Sequence, residues 1–544
     1  MKCTIHQAPT GNRLTDAYLF DFASVAHLYD GQNPTLESTY ITRADKVVTR
    51  FDQAHRQQLV DALTVYSLQI GASAVQREAI AKLLDPRSVA VVTGQQAGLF
   101  TGPLYSISKA LSAIGVAAEM ERILSRPVVP VFWIASEDHD FGEVDHAYVI
   151  DRDDVVTRIR LQHHFDPHQM VYHASLAEGQ VVSAIHEVNQ LLPEAEYKTQ
   201  LLHSLASAWQ EGDSLAVWYA RLLAQLLRNH PIVFLDPCLP ALRRLAWPAF
   251  AHALQHVEDV QANLKQAYGE VVAAGFVPEV VRDPLHSTVF RVVNGRRYVL
   301  ERADGGLRTR GHGEEKSISD WLAVGEQEPT AFSANVLLRP VVQDYLLPTL
   351  AYVGGPSEIA YHALARAVFH AHERSLPPLI MRQRMRIAVP SVWRAMTRWQ
   401  IEFAQVREPA DLVYTHALGD LANDIEACTE QEVAAIGQRL LDISTKYREL
   451  GPQVDMLVQR HAKREAELWA QLRRKLLHLA ERRRGDDVRQ LRRIERWFWT
   501  DGHEQERRLS PLNLWNELGC DWFGSLPVWG SVGQPGAVLE IVVD

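Results

Sequence analysis

The chain has 544 residues and a mass of 61.4 kDa, with 47% hydrophobic and 22% charged residues. That balance excludes collagen-like, wholly disordered and membrane-embedded classes and points to three or four domains, or one large core with insertions. The net charge of −10 hides an asymmetry, because residues 460–496 carry 13 Lys and Arg against 6 Asp and Glu, so the basic excess is confined to one segment.

Residues 1–85 read as mostly helical, with Val60, Leu63, Tyr66 and Ile70 at three- and four-residue steps, and are expected to pack on a later core. At Ser88 the character changes: Val89, Ala90, Val91 and Val92 form an unbroken apolar run ended by Thr93-Gly94, as in a buried parallel strand. Residues 104–121 supply a helix with Pro103 near its start, and residues 127–135 supply a second buried strand, so the three form a βαβ unit. The crossover rule places the loops after both strands at one edge of the sheet. A third strand is expected at 232–235, after a helical stretch at 215–228, and a fourth at 350–353.

Residues 86–380 are therefore read as a Rossmann-like α/β core with a parallel sheet, interrupted at about 150–215 and 240–335. The second interruption holds a hairpin turning at Asn294-Gly295. In the helical domain expected at 385–505, Val433, Ile436, Leu440, Ile443, Tyr447, Leu450, Val454 and Leu457 follow a heptad pattern. Gly451-Pro452 interrupts that series, which predicts an antiparallel helical hairpin with a second arm at about 454–499. Its apolar seam predicts a homodimer. Residues 506–544 form a C-terminal segment. Four cysteines, Cys3, Cys238, Cys428 and Cys520, lie far apart without CxxC spacing. That argues for a reducing compartment, and the lack of a long apolar run predicts a cytoplasmic protein with no membrane association.

Three segments have the residue types that chemistry needs. The first runs from Thr93, Gly94, Gln95 and Gln96 through Gly98 to Gly102; glycines beyond a strand let backbone N–H groups approach a phosphate, although the same residues also suit a tight turn. The second follows the strand that contains Trp133 and holds Glu137, Asp138, His139, Asp140 and His146, where crowded ionisable groups suit acid–base work. Its alternative reading is a solvated loop with capping aspartates. No standard metal-ligand spacing occurs, so no metal is expected. The third contains Asn335, Arg339, Gln343 and Asp344, then Gly354, Gly355, Glu358 and Tyr361, where Gly354-Gly355-Pro356 opens a helix toward an anion. Here the alternative is an ordinary strand, turn and helix start with Arg339 paired to Asp344. The basic segment reads as a solvated helical face, and no nucleic-acid partner is expected.

Three long strings, VVTGQQAGLFTGPLYSISKA, PVVPVFWIASEDHDFGEVDH and FSANVLLRPVVQDYLLPTLAYVGGPSEIAY, together with Gln505-Glu506-Arg507, resemble the bacillithiol biosynthesis cysteine-adding enzyme family in the same order. The resemblance implies a Rossmann-fold core with two connecting-peptide insertions, similar to class I aminoacyl-tRNA synthetases, and a dimeric coiled coil. It also implies a ligase that adds cysteine to glucosaminyl malate to give bacillithiol. Amide formation from a free carboxylate is uphill, so ATP or another adenine nucleotide is expected as the energy source. His139 is the candidate base, Asp138 or Asp140 would orient it, and Glu137 would hold the ammonium of cysteine. A nucleotidyl- or glycosyl-transferase on the same core, or a coiled-coil scaffold with a nucleotide-sensing domain, are the alternatives.

Overall fold

The computed structural model describes residues 1–162, 166–281, 283–406, 411–500, 502–530 and 532–543. It divides into two units, Met1–Ile387 with Glu506–Ile541 and Ala388–Gln505 with Val542–Asp544.

The first unit is organised by five parallel strands: β1 (Val89–Gln95), β2 (Val128–Ile134), β3 (Val233–Leu235), β4 (Thr349–Gly354) and β5 (Leu379–Met381). Their order in the sheet is β5-β4-β1-β2-β3. Every residue of β2 and β4 is buried, which explains unbroken apolar runs in place of alternation. The chain builds outward from β1 in one direction and returns to its other side with β4, so the β1/β4 boundary is the topological switch point where such sheets open a crevice. The β3 and β4 regions were legible in the sequence, whereas β5 was not: β3 is equally short but Ile232 extends it into one apolar run, while Leu379-Ile380-Met381 follows Pro377-Pro378, which reads as a turn.

Helix α1 (Tyr105–Leu124) makes the crossover from β1 to β2, and α2 (Pro356–Ala371) follows β4. The N-terminal residues add helices whose Leu14, Tyr18, Tyr29, Leu59 and Leu63 join the core with Ala90, Val131 and Leu235, and a strand, Lys2–Gln7, that their helical pattern did not announce. Within the second interruption, His286–Val293 and Arg296–Ala303 form the expected hairpin. Its turn residues Asn294 and Gly295 have φ of 51° and 77°, the left-handed pair a tight hairpin requires. Phe332–Ala334 pairs with the first of these strands and completes a five-stranded antiparallel sheet.

In the second unit, helices Gly419–Lys446 and Gln453–Arg483 form a hairpin that turns at Gly451-Pro452, with Gly451 at φ 102°. Arg473 reaches Glu426 at 2.9 Å between the arms. The second arm is not the single rod expected to Trp499: it breaks at Arg484 and a separate helix occupies Gly485–Phe498, where glycine weakens the helix interior. No helix of the described residues is long and apolar enough to cross a membrane.

Asp344 does not pair with Arg339. It is buried and bonds Arg43 at 2.7 Å and Arg374 at 2.8 Å, with Arg50 at 3.6 Å. Its carboxylate thus ties an N-terminal helix to the segments flanking β4 and is a structural group. Asp344→Ala strands these guanidinia and is expected to cost about 3–5 kcal/mol of stability. Thermal melting checks it, and ligand affinity of the folded fraction should be unchanged.

Candidate active site

A cleft of about 720 Å³ lies beyond the carboxyl ends of β1, β2 and β4, within the range of small-molecule sites. Gly94, Gln95, Gln96, Trp133, Glu137, Asp138, His139, Asn335, Arg339, Gly355, Glu358 and Tyr361, expected from sequence, all line it. Tyr105, Lys109, Glu143, Phe290, Arg297, Tyr352, Arg382 and Arg507 line it as well and had not been singled out as site residues. Arg297 comes from the hairpin of the second interruption, for which spacing offered only a turn. Arg507 follows the coiled coil in sequence, and its only signal was its place in the Gln505-Glu506-Arg507 string.

One wall is acidic. Gln96 Nε2 donates to Asp138 Oδ2 at 2.6 Å, which joins the loops after β1 and β2. Burial pushes the Asp138 carboxyl up, but Gln96, the Arg297 charge and the main-chain N–H groups of His139 and Asp140 outweigh it and leave it below the usual range. Asp138 does not orient the imidazole by a hydrogen bond, because its Oδ1 accepts from His139 N at 2.7 Å and stands 3.7 Å from Nδ1. Arg297 Nη1 is nearer, at 3.3 Å from His139 Nδ1. Burial and then the Arg297 charge lower the His139 pKa, so its ring is neutral at pH 7. Burial raises the Glu143 carboxyl.

The other wall is basic. Lys109 Nζ, from α1, meets Glu358 Oε2 at 2.5 Å and Gly94 O at 2.7 Å. Glu358 also accepts from Tyr352 OH at 2.5 Å and from Gly355 N at 2.8 Å. The carboxylate thereby folds back over the first turn of α2, so the helix end that Gly354-Gly355-Pro356 was expected to offer an external anion is capped internally. Arg339, by contrast, donates to Gln343 at 3.3 Å and Tyr361 OH at 3.2 Å and lies over the Tyr352 ring, all neutral partners. Arg382 is held by Glu506 at 2.6 Å, both buried, and the residue after Glu506 is Arg507.

Several expected residues serve the scaffold. Thr93 is buried and its hydroxyl donates to Val353 O at 2.8 Å. A Cβ on Gly94 would stand 2.8 Å from Trp133 O, and one on Gly98 2.9 Å from Gly102 Cα. The glycines of the first segment therefore permit close chain packing, and Gly102 lies outside the cleft. Gly98 and His146 border an adjoining cavity of about 290 Å³, where His146 Nδ1 is 3.0 Å from Asp145 Oδ1. Asp140 caps the short helix Phe141–Val144 by accepting from Gly142 N at 3.0 Å, which removes it from the orienting role. Gln343 is buried behind Arg339, Gly354 is not among the lining residues, and Asn335 Oδ1 accepts from Leu337 N and Leu338 N at 3.0 and 2.9 Å. No group of three or more His, Cys, Asp or Glu side chains suited to a metal ion occurs among the described residues.

A Rossmann-like parallel core with a bipolar cleft at its switch point, joined in sequence to a helical hairpin, defines an enzyme of the α/β class with a coiled-coil domain. Residues 1–383 match the family model "Bacillithiol biosynthesis BshC, N-terminal Rossmann-like domain", and residues 388–527 match "Bacillithiol biosynthesis BshC, C-terminal coiled-coil domain". The chain belongs to the bacillithiol biosynthesis BshC family, as its three strings indicated, and is a ligase. It is 31% identical over 511 residues to the "Putative cysteine ligase BshC" of Heliobacterium modesticaldum, with 91% of each chain covered. The protein of that name from Symbiobacterium thermophilum is 35% identical over 398 residues, 71% of each chain. A solved structure titled as a "putative arginyl t-RNA synthetase" from Campylobacter jejuni overlays with a TM-score of 0.24 and 11% identity, covering 89% of this chain and 100% of that one, too loose a match to bear on the fold.

The capped end of α2 makes a pH prediction. Burial raises the Glu358 carboxyl, but Lys109, the Gly355 N–H and the Tyr352 hydroxyl outweigh it and hold it down to about 2. A depressed carboxyl stabilises the fold above the unfolded-state value near 4.5 and loses that contribution as pH falls toward 2. Glu358→Gln should lower the melting temperature at pH 7 and flatten its fall between about pH 4.5 and 2; melts across that range check it.

Proposed function

We propose that the chain joins the carboxyl group of cysteine to the amine of glucosaminyl malate, forming the amide of bacillithiol. The observation that carries this reading is a neutral imidazole, His139, set between a wall rich in carboxylates and a wall rich in guanidinium groups. The acidic wall, with Glu137, suits the ammonium of cysteine. Arg339, half-buried and hydrogen-bonded only to neutral partners while the nearby Glu358 carboxylate is engaged by Lys109, suits the carboxylates of a malyl group. Arg507 extends the same wall.

In the bond-forming step the amine nitrogen attacks the activated carboxyl carbon, the C–N bond forms as the activating group leaves, and the attacking nitrogen gives up a proton. The His139 imidazole receives it; Arg297 Nη1, 3.3 Å from Nδ1, disfavours the charged ring, and Asp138 Oδ1, 3.7 Å from the same nitrogen, favours it once formed. Gln96 supports the base by fixing Asp138 from the opposite loop. ATP or another adenine nucleotide would supply the activation; with the glycine turn after β1 and the start of α2 both engaged internally, its phosphates would fall to the side chains of the basic wall, and no metal is invoked. The four cysteines are free, which agrees with work in the cytoplasm.

Enzyme mixed with cysteine, glucosaminyl malate and ATP should yield bacillithiol by mass, and absence of product with every nucleotide tried would end this reading. His139→Ala and Gln96→Ala should each remove most turnover, by about 10²–10⁴ for His139, with melting temperatures near wild type. Because protonated His139 cannot act as base, the wild-type rate should fall on the acid side of 6.5, and that limb should vanish in His139→Ala.

The coiled coil is proposed to make a homodimer. Along the hairpin, Leu450 is 73% exposed, Met456 60% and Leu479 59%, and Leu457, Leu468 and Leu472 are also exposed, leaving a seam of apolar side chains that a second copy would cover. Sedimentation at micromolar concentration should give twice the monomer mass, and Leu468→Lys with Leu472→Lys should return it to monomer.

A further inference from the structure

Behind the acidic wall lies a buried cluster that the bond-forming step leaves unused. Glu137 follows β2 and its side chain is 7% exposed; Arg243, on the helix Pro240–Gln255 that follows β3, is 2% exposed. Arg243 Nη2 donates to Glu137 Oε1 at 2.6 Å, which commits one carboxylate oxygen and leaves the other. Arg243 is itself confined: Nη2 lies 3.7 Å from Cys238 Sγ, and the guanidinium carbon lies 5.2 Å from the centre of the Phe250 ring. The neighbour of Glu137 is pinned too, since Ser136 Oγ and Cys238 N both donate to Asp236 Oδ1, at 2.5 and 2.9 Å. The turn that leaves β2 is thus fixed at two successive residues by groups beyond β3. The second buried guanidinium on this wall, Arg297, commits Nε to Ser333 Oγ at 2.9 Å and Nη2 to Ala334 O at 2.6 Å; its charge also favours the Glu137 carboxylate, but the hydrogen bond that fixes Oε1 comes from Arg243.

We propose that Arg243 is a positioning residue for amine recognition: by holding Glu137 Oε1 it presents the remaining oxygen to the ammonium group of the amino-acid substrate at a fixed point in the cleft. The inference rests on the reading of this wall as the ammonium site of cysteine. Arg243 acts through Glu137 and touches no substrate. A lysine at 243 keeps the charge but not the planar fork, so it should serve partially. A prop of the fold alone would alter melting and leave cysteine recognition as it is.

The test uses full-length enzyme carrying Arg243→Met, Arg243→Lys, Glu137→Gln and the double change, with cysteine and glucosaminyl malate varied separately and thermal melts on each preparation. Arg243→Met should raise the KM for cysteine about tenfold or more, while the KM for glucosaminyl malate stays within about twofold and kcat within about threefold. Arg243→Lys should fall between it and wild type. The double variant should bind cysteine no worse than Glu137→Gln alone, because a residue that acts through Glu137 has nothing left to act on. Additive penalties, equal rises in both KM values, or a lower melt with a wild-type KM for cysteine would each overturn the inference. If Arg243→Met does not fold, Arg243→Lys and the double variant, which removes both buried charges together, decide the matter by the same criteria. A wild-type enzyme that neither consumes cysteine nor melts higher in its presence fails the underlying reading and the inference with it. A wild-type enzyme that saturates with cysteine beside additive variants fails the inference alone.

Discussion

The ion pair of Lys109 with Glu358 spans the point at which the sheet reverses its order. β1 and β4 lie side by side, yet the helices that follow them, α1 and α2, leave in different directions, and the crevice between them would expose Gly94 O, Gly355 N and the start of α2 at once. Lys109 takes the carbonyl, Glu358 takes the amide, and the two close on each other at 2.5 Å. Burial lowers the lysine pKa and works against the glutamate charge, so either residue alone would be a liability in that position. Together they convert an open crevice into a floor with settled charges, on which the remaining walls of the cleft stand.

That floor changes how an anion can be recognised. In many open α/β sheets the helix end at the switch point receives the ligand's negative charge. Here the protein's own carboxylate occupies that end of α2, and Pro356 at its first turn has no N–H to give. Recognition of an anion then falls to side chains with reach, and the cleft supplies Arg339, Arg382 and Arg507 from three separate stretches of chain. Arg382 is spoken for by Glu506, but the same bond fixes the residue beside Arg507, so one buried pair sets where the next cation stands.

How much of this was legible depends on how local each signal is. β1 and β2 were readable because each is an unbroken apolar run closed by a change of character, and Asn294-Gly295 because its turn needs two residues at positive φ. The clustering of Gln96 with Asp138 followed from crossover handedness alone. What could not be read is what depends on distant partners. Asp344 looked like a site residue until Arg43 and Arg374 claimed it, and Gly98 and Gly102 looked like a phosphate cradle when they serve each other. Arg297 and Arg243 gave no sequence signal, because a guanidinium in an insertion or on an ordinary helix differs from a surface one only by what folds over it.

The two-walled charge pattern has a consequence for the chemistry proposed for the cleft. Two substrates that carry both amine and carboxylate groups would each bring charges that repel or mis-pair in a uniform site, and walls of opposite sign sort them before any bond forms. A base placed between such walls must stay neutral until the amine arrives, and Arg297 at 3.3 Å from Nδ1 serves that end by opposing protonation of His139. Once the ring accepts a proton, Asp138, whose Oδ1 is 3.7 Å from the same Nδ1, favours the imidazolium, and Gln96 has already fixed the carboxylate through its other oxygen. Burial and Arg297 together outweigh Asp138, so the ring is held as the neutral base the step needs while the carboxylate that would meet its charge is already fixed in place, and that part of the reorganisation precedes the reaction.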